Sequence, residues 1–236
     1  VPGWVMHCLP PRGRSERIER EASAMSIAVI DYGMGNLRSV ERALVHVGAP
    51  QVHVTDDPAV IDAAERVVFP GQGAVRDCMS ALHHHELIDV LDRVMRDRPF
   101  LGICMGMQAL MTRSEENEGV EALGHFPGTV RHFRRLTGDG PRLKIPHMGW
   151  NRLHQVRRHP LFAGIADETR FYFVHSYYVD PDDDSIVQGR SEYGASFAAA
   201  IGAANVFATQ FHPEKSQQPG LQLLKNFLSW DGEPCS

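Results

Sequence analysis

Hydrophobic and polar positions in the first half of the chain form a repeating pattern of short apolar runs and longer amphipathic stretches. Apolar runs bounded by glycine or proline are typical of buried strands, and apolar positions spaced by three or four are typical of helices. The predicted strands are Ile27–Asp31, Gln51–Val54, Arg66–Phe69 and Phe100–Ile103, and the predicted helices are Leu37–Val47, Glu86–Met95, Met105–Met111 and one beginning at Ala74. This alternation predicts a parallel sheet whose functional site lies at the carboxyl ends of the strands.

The second half of the chain is richer in strands, and a final amphipathic helix is predicted from about Leu221 to Trp230. The predicted strands of this half are Gly128–Phe133, Phe171–His175, Ser196–Ile201 and Val206–Gln210. Because no linker interrupts residues 25–236, we expect one α/β domain with a smaller antiparallel element beside the parallel sheet. In residues 1–24, Val1–Pro11 carries three prolines and Arg12–Glu21 alternates charges without an apolar face, which predicts a disordered extension.

Composition and charge argue against several classes of function. Acidic residues exceed basic residues by 29 to 24, the formal net charge is −5 and no basic block is long, so we expect no nucleic-acid-binding face. No apolar run approaches the roughly 18 residues that a membrane-spanning helix needs. The four cysteines, Cys8, Cys78, Cys104 and Cys235, show no CxxC spacing. This argues against a disulfide framework or a zinc site and is typical of a cytoplasmic protein.

The segment Gly102-x-Cys104-x-Gly106 lies where the fourth predicted strand passes into a helix. It has the pattern of a nucleophile elbow, which holds a reactive side chain on a tight turn. Glycines two residues either side of Cys104 avoid collisions in such a strained turn, and the start of a helix favours thiolate over thiol. A buried cysteine can also be a small core residue, and the pattern alone leaves both interpretations open.

A second segment supplies a histidine and a carboxylate. His212 follows a predicted strand, Pro213 restricts the backbone and Glu214 lies two residues on, so in extended backbone both polar side chains point to the same side. A carboxylate in that position can hold one imidazole nitrogen while the other faces a nucleophile. Since the chain has 13 histidines, a purely structural role is the alternative for any one of them.

The turn Pro70-Gly71-Gln72-Gly73 joins the third predicted strand to the next helix. Its backbone N–H groups, together with that of Met105, can stabilise an oxyanion. The alternative is an ordinary strand–helix turn.

Two clusters invite a metal-site interpretation. Side chains of consecutive helical residues diverge by about 100°, so His83–His85 cannot converge on one ion. Asp182–Asp184 lacks the spaced ligands and the glycine of a calcium loop. We therefore expect no metal site, and interpret the clusters as a solvated helix face and an exposed turn.

Taken together, these segments resemble the class I glutamine amidotransferases. Residues 102–108 and 208–216 are similar to the nucleophile and His–Glu motifs of that family, and the resemblance covers about residues 26–230. Four stretches narrow it to the member that passes ammonia to a separate (βα)8-barrel cyclase subunit: Ile30–Leu37, Phe69–Ala74, Lys144–Asn151 and Phe171–Tyr178. This chain has Gln72 and Met105 where the family usually has Val and Leu.

The resemblance implies a flavodoxin-like α/β fold and a Cys–His–Glu triad that hydrolyses glutamine through a thioester, without a metal or a cofactor. The implied triad is Cys104, His212 and Glu214, and the implied oxyanion hole is formed by Gly71, Gln72, Gly73 and Met105. The implied glutamine-binding residues are Gln108, Glu116, His175, Ser176 and Tyr177. The implied contacts with the cyclase in a heterodimer are Asn36, Lys144, Pro146, His147, Met148, Gly149, Trp150 and Asn151. Composition alone would place Trp150 in the core.

Three alternatives stay open at this point. Another triad amidotransferase would share the three catalytic residues but not the stretch Lys144–Asn151. A cysteine peptidase or a γ-glutamyl hydrolase on a related fold would need no acceptor for ammonia. An interaction subunit with a decayed triad is disfavoured because all three residues are intact.

Overall fold

The computed structural model describes residues 25–137 and 143–233, which form a mixed β-sheet with helices on both faces. The strands are β1 Ser26–Ile30, β2 Gln51–Thr55, β3 Arg66–Gly71, β4 Phe100–Cys104, β5 Met111–Ser114, β6 Val120–Glu121, β7 Phe126–His132, β8 His147–Gln155, β9 Thr169–His175, β10 Tyr177–Pro181, β11 Val187–Glu192, β12 Ser196–Ala203 and β13 Val206–Thr209. The helices are α1 Leu37–His46, α2 Pro58–Ala63, α3 Val75–His84, α4 Ile88–Asp97, α5 Met105–Ala109, α6 Arg134–Thr137 and α7 Gln217–Ser229. The extension predicted for residues 1–24 lies outside the described residues.

The centre of the sheet is parallel, in the order β2-β1-β3-β4-β13. The register sets Gly71 of β3 opposite Cys104 of β4, and Ile103 of β4 opposite Thr209 of β13. Because parallel strands end at the same edge, the nucleophile elbow, the glycine turn after β3 and the histidine segment after β13 meet there. The predicted α/β class with a parallel centre is confirmed.

Beyond β13 the sheet continues with antiparallel neighbours. β12 pairs with β13, β10 with β12, and β7 with β10. β8 forms a hairpin-like pair with β9 and also joins β11. This part carries His175 to Tyr177 and the stretch from Lys144 to Asn151 towards the edge at which the parallel strands end.

The central strands are apolar throughout because the sheet is buried on both faces. In β1, Ala28 and Ile30 face one core cluster, and Ile27 and Val29 face the other. Helices α3, α4 and α5 cover the first face, and α1 and α7 cover the second. Burial on both sides fixes the register of the strands, and so fixes the positions of the residues at their ends.

The predicted helix Met105–Met111 was placed too long, since α5 ends at Ala109 and β5 begins at Met111. Strands β5, β6, β8, β10 and β11 were not predicted. In β8 most residues are exposed or half-buried, and only His147 and Leu153 are buried. Such a strand lacks the apolar run from which the other strands were predicted.

None of the helices formed by residues 25–137 and 143–233 is long and apolar enough to cross a membrane.

His159 is a buried histidine whose ring packs on Phe207, with ring centroids 4.4 Å apart. The side chain is 6% exposed, and burial lowers the pKa of His159 to about 4. Its Nδ1 accepts a hydrogen bond from the backbone N–H of Leu161 at 3.2 Å, so the ring is neutral in the folded protein. An unfolded chain would protonate this ring near pH 6.5. His159 therefore contributes stability above about pH 6.5 that is lost as the pH falls towards 4.

As the pH is lowered, we expect the free energy of unfolding to fall less steeply in His159→Asn than in the parent. The reason is that asparagine can accept the same hydrogen bond and does not titrate. The difference in slope between about pH 6 and pH 4.5 should reach up to about 1.4 kcal/mol per pH unit, the value for one proton. Urea unfolding at a series of pH values measures it. Parallel slopes would show that the ring is already protonated in the folded state.

Candidate active site

Cys104 ends β4 and begins α5 in a strained backbone conformation. Its φ is +55° and its ψ is −100°, a region that non-glycine residues rarely adopt. A Cβ at position 106 would lie 1.8 Å from the carbonyl oxygen of Phe69, and one at position 102 would lie 2.9 Å from the Cβ of Ala208. Glycine is therefore required on both sides, which matches the steric reason for which the elbow was predicted.

His212 and Glu214 form a buried pair beside this elbow. The Nδ1 of His212 lies 2.8 Å from Oε1 of Glu214, and the two side chains are 3% and 2% exposed. The expected extended backbone is wrong, because Pro213–Lys215 form a single turn of 3-10 helix. The hydroxyl of Ser216 holds this turn by donating to the carbonyl of His212 at 2.6 Å, and it accepts from the backbone N–H of Tyr172. This 3-10 turn, and not an extended segment, brings the carboxylate of Glu214 to the imidazole of His212.

The charges around His212 favour its protonated form. Burial alone would lower its pKa, but the negative charge of a Cys104 thiolate and the carboxylate of Glu214 outweigh burial and raise the pKa of His212 to about 10. Nε2 of His212 is buried and makes no hydrogen bond of ordinary geometry, and it is close enough to the sulfur to be governed by its charge. His212 is therefore protonated at neutral pH, beside the sulfur of Cys104.

The predicted oxyanion turn lies against the nucleophile. Gly71 is the register partner of Cys104, and a Cβ on Gly71 would lie 2.0 Å from the hydroxyl of Tyr32 and 2.7 Å from the Cβ of Met105. Gln72, Gly73 and Met105 line the cavity beside Cys104, whereas Gly71 lies beneath it. Gly73 has a φ of +94°, which favours glycine there. The backbone of the turn can therefore come close to a group bound at Cys104.

A cavity of about 400 Å³ opens over Cys104, a size typical of sites for small molecules. All five predicted glutamine-binding residues line it. The residues around the cavity are Gln72, Gly73, Cys104, Met105, Gln108, Glu116, Pro146, Tyr172, Val174, His175, Ser176, Tyr177, His212 and Lys215. The catalytic and binding roles assigned to these residues stay predictions, but their positions around one cavity are those that such roles require.

Glu116 lines the cavity and is hydrogen-bonded to the start of the helix that follows the glycine turn. Its Oε2 accepts a hydrogen bond from the backbone N–H of Val75, the first residue of α3, at 2.9 Å. Burial raises the pKa of Glu116, and the hydrogen bond from Val75 opposes that shift. The carboxylate thus faces the cavity from an anchored position, where it can receive an ammonium group.

The residues predicted to contact a partner differ in their exposure. Met148 and Trp150, 62% and 42% exposed, alternate along β8 and so lie on one side of it. His147 does not fit the prediction of a partner contact, because its side chain is 4% exposed and stacks on Tyr193 with ring centroids 4.1 Å apart. The alternation of a strand turns His147 inward while its neighbour faces outward. Lys144 and Asn36 are exposed, and Pro146, Gly149 and Asn151 are half-buried.

Sequence reasoning missed three residues near the nucleophile. Tyr172 and Lys215 line the cavity, and Gln210 donates a hydrogen bond from Nε2 to the sulfur of Cys104 at 3.6 Å. The position of Gln210, two residues before His212 at the end of a strand, was the available signal. Outside the cavity, His154, Asp167 and Glu168 are exposed and offer ligand atoms within 4.8 Å of one another, and they are the described residues best able to hold a metal ion.

Comparison with known proteins decides the family. The family model described as glutamine amidotransferase class-I matches residues 28–230. The chain belongs to the class I glutamine amidotransferase family. The resemblance drawn from its motifs is thereby confirmed, and the elbow, the His–Glu pair and the cavity lie within the matched residues of this amidotransferase.

Relatives narrow the position of the chain within the family. It is 56% identical over 208 residues to imidazole glycerol phosphate synthase subunit HisH 1 of Pseudomonas aeruginosa, and 57% identical over 208 residues to subunit HisH of Nitrosococcus oceani. Each alignment covers 88% of this chain and 98% of the relative. The narrower resemblance, carried by the four stretches Ile30–Leu37, Phe69–Ala74, Lys144–Asn151 and Phe171–Tyr178, is to this synthase subunit, and it is confirmed. Among solved structures, that of PurLQS from Thermotoga maritima shares the fold, with a TM-score of 0.65, 19% identity and coverage of 86% of this chain and 97% of the other.

We expect iodoacetamide to alkylate Cys104 of this amidotransferase at a rate that changes by less than about threefold between about pH 7 and pH 9. His212, with its pKa raised to about 10, stays protonated throughout that range, and a neighbouring positive charge favours thiolate over thiol. In His212→Asn the rate should rise about tenfold per pH unit below about pH 8.5, as for an ordinary thiol. Mass spectrometry of the peptide that contains Cys104 separates this reaction from that of buried Cys78. A parent profile as steep as that of the variant would contradict the ion pair.

Proposed function

We propose that this chain is the glutaminase subunit of an imidazole glycerol phosphate synthase. It hydrolyses L-glutamine to glutamate and ammonia and passes the ammonia to a (βα)8-barrel cyclase subunit. The cyclase uses it to make imidazole glycerol phosphate and aminoimidazole carboxamide ribonucleotide in histidine biosynthesis, in the cytoplasm. The observation that carries the proposal is Cys104 on a strained elbow beside the buried His212–Glu214 pair, at the floor of one cavity.

The chemistry follows from the protonation state of the pair. The thiolate of Cys104 attacks the side-chain amide carbon of glutamine, and the imidazolium of His212 gives its Nε2 proton to the departing nitrogen. Ammonia leaves and a glutamyl thioester forms. The now neutral His212 takes a proton from water, the hydroxide attacks the thioester, and glutamate and the thiolate are released. Glu214 holds the Nδ1 of His212 throughout, so that Nε2 always faces the reacting atoms.

The turn formed by Gly71, Gln72 and Gly73, with the N–H of Met105, would stabilise the negative oxygen of each tetrahedral intermediate. Gln72 and Gly73 are exposed at the mouth of the cavity, where a partner could reorient their peptide groups. We therefore propose that the isolated subunit is weakly active and that the cyclase with its bound nucleotide aims this turn at the site. Such coupling would prevent the loss of glutamine when no acceptor for ammonia is present.

The docking face for the cyclase would include Met148 and Trp150, which expose apolar surface next to the cavity, since Pro146 of the same stretch lines its rim. Large exposed apolar side chains of this kind are frequent at the centres of protein interfaces. Lys144 and Asn36, both exposed, would lie at the polar rim.

We expect the purified chain to release glutamate from glutamine slowly, and much faster once the cyclase and its nucleotide are added. Cys104→Ala should lower this stimulated rate by at least about a thousandfold because the nucleophile is lost, while the complex still forms. The readouts are glutamate release and co-elution with the cyclase.

The matched control is Cys78→Ala, which removes a second fully buried cysteine that does not line the cavity and should change the stimulated rate by only a few fold. Full turnover by the isolated chain would refute the coupling. Cleavage of peptides or γ-glutamyl conjugates in place of free glutamine would refute the proposed substrate.

A further inference from the structure

Gln210 is a fully buried side chain that contacts the nucleophile without lining the cavity. It directly follows β13, where its backbone N–H donates to the carbonyl of Ala199 on β12 at 2.9 Å. Its Nε2 lies 3.6 Å from the sulfur of Cys104, within the range of an N–H···S hydrogen bond. This contact meets ordinary hydrogen-bond geometry, whereas Nε2 of His212 makes no hydrogen bond that does.

The orientation of the Gln210 amide is dictated by its neighbours. Nε2 of Gln108 donates to the carbonyl of Tyr177 at 3.2 Å and to Oε1 of Gln210 at 3.0 Å. A carbonyl oxygen can only accept, so the nitrogen of Gln108 must lie on that side, and the oxygen of Gln210 must face it. The nitrogen of Gln210 is thereby left to face Cys104. The opposite orientation would set two NH2 groups against each other and an oxygen against a thiolate.

The carbonyl of Tyr177 also accepts a hydrogen bond from His175, which is in turn hydrogen-bonded to His147. Nδ1 of His175 donates to the carbonyl of Tyr177 at 2.7 Å, which leaves Nε2 of His175 as an acceptor for Nδ1 of His147 at 3.0 Å. Nε2 of His147 then accepts from Nδ2 of Asn151 at 3.2 Å. Burial lowers the pKa of His175 to about 3 and that of His147 to about 4, so both rings are neutral and each has one donor and one acceptor.

These hydrogen bonds form one continuous network, in which donors from two sides meet at the carbonyl of Tyr177. It runs from Asn151 on β8 through His147 and His175 to the carbonyl of Tyr177, and from there through Gln108 and Gln210 to the sulfur of Cys104. At each hydrogen bond, the neighbouring bonds determine which group donates and which accepts. No side-chain amide can therefore flip without losing a hydrogen bond to its neighbour. A buried and fully satisfied network of this kind holds its members in a single arrangement.

We propose that Gln210 is a positioning residue for the reaction, which holds and stabilises the Cys104 thiolate by an N–H···S hydrogen bond and is itself oriented through Gln108 and the carbonyl of Tyr177. A hydrogen bond to a charged acceptor is stronger than one to its neutral form, so the contact favours thiolate over thiol. The same amide holds Gln108 at the cavity wall, which links the nucleophile to the glutamine-binding side. This inference rests on the proposed function for its meaning in catalysis, but the contact with the sulfur can be tested without substrate.

The test compares the pH profile of Cys104 alkylation by iodoacetamide in the parent and in Gln210→Met, which keeps a side chain of similar length without a donor. We expect the midpoint of the profile to move up by about one pH unit, so that the rate below the midpoint falls about tenfold, the effect of one charge-assisted hydrogen bond. The rate at high pH should return to the parent value, since the sulfur is still accessible. A disturbed fold would not produce such a recovery.

The matched control is Gln188→Met, which removes a buried glutamine that donates to the carbonyl of Gly202 at 2.8 Å and lies outside the cavity lining. This control should leave the midpoint in place. If Gln210→Met does not fold, Gln210→Glu keeps the shape and the acceptor for Gln108 and should move the midpoint further upwards. An unmoved midpoint in the folded Gln210 variant, or an equal shift in both methionine variants, would overturn the proposal.

Glutamine hydrolysis by the parent with its partner separates the two proposals. Failure of the parent to hydrolyse glutamine, with the shift in alkylation present, would refute the proposed function and leave the Gln210 contact established. Hydrolysis of glutamine by the parent, with no shift in the midpoint of alkylation, would support the proposed function and refute the Gln210 contact. When both hold, Gln210→Met should also lower kcat for glutamine by about tenfold.

Discussion

The site depends on one electrostatic interaction, between the sulfur of Cys104 and the imidazole of His212, both of which are buried. Burial alone would lower the pKa of His212 and leave its imidazole neutral. The negative charges of Cys104 and Glu214 outweigh burial and raise the pKa of His212 to about 10. The rest of the fold serves to bring these three side chains to one point, through strands whose register is fixed by burial on both faces.

The same protein keeps other histidines neutral at little distance from this pair. His147, His159 and His175 are also buried, and burial lowers their pKa values to about 4 or 3. Among the hydrogen bonds of the described residues, none joins these rings to a carboxylate or a cysteine sulfur. A neutral imidazole with a fixed tautomer donates one hydrogen bond and accepts another, whereas a charged imidazole can give a proton away. The site therefore uses one residue type for two purposes, decided by whether a negative group lies within hydrogen-bonding distance.

The sequence allowed prediction of the features that local patterns encode. The elbow glycines, the turn after β3 and the His–Glu spacing are local, since each follows from steric or hydrogen-bonding needs within a few residues. The inward turn of His147 and the contact between Gln210 and Cys104 could not be predicted, because they depend on pairing between strands distant in the chain. β8 was missed for a related reason: it is stabilised by β9 and β11 on either side, not by an apolar run of its own.

The central claim is that Cys104 and His212 form a thiolate–imidazolium pair, and neutron diffraction from deuterium-exchanged crystals at neutral pH tests it most directly, because it locates the protons. The account predicts deuterium on both ring nitrogens of His212 and none on the sulfur of Cys104. A deuterium on the sulfur with a neutral imidazole, or a sulfur more than about 6 Å from both ring nitrogens, well beyond hydrogen-bonding reach, would contradict it.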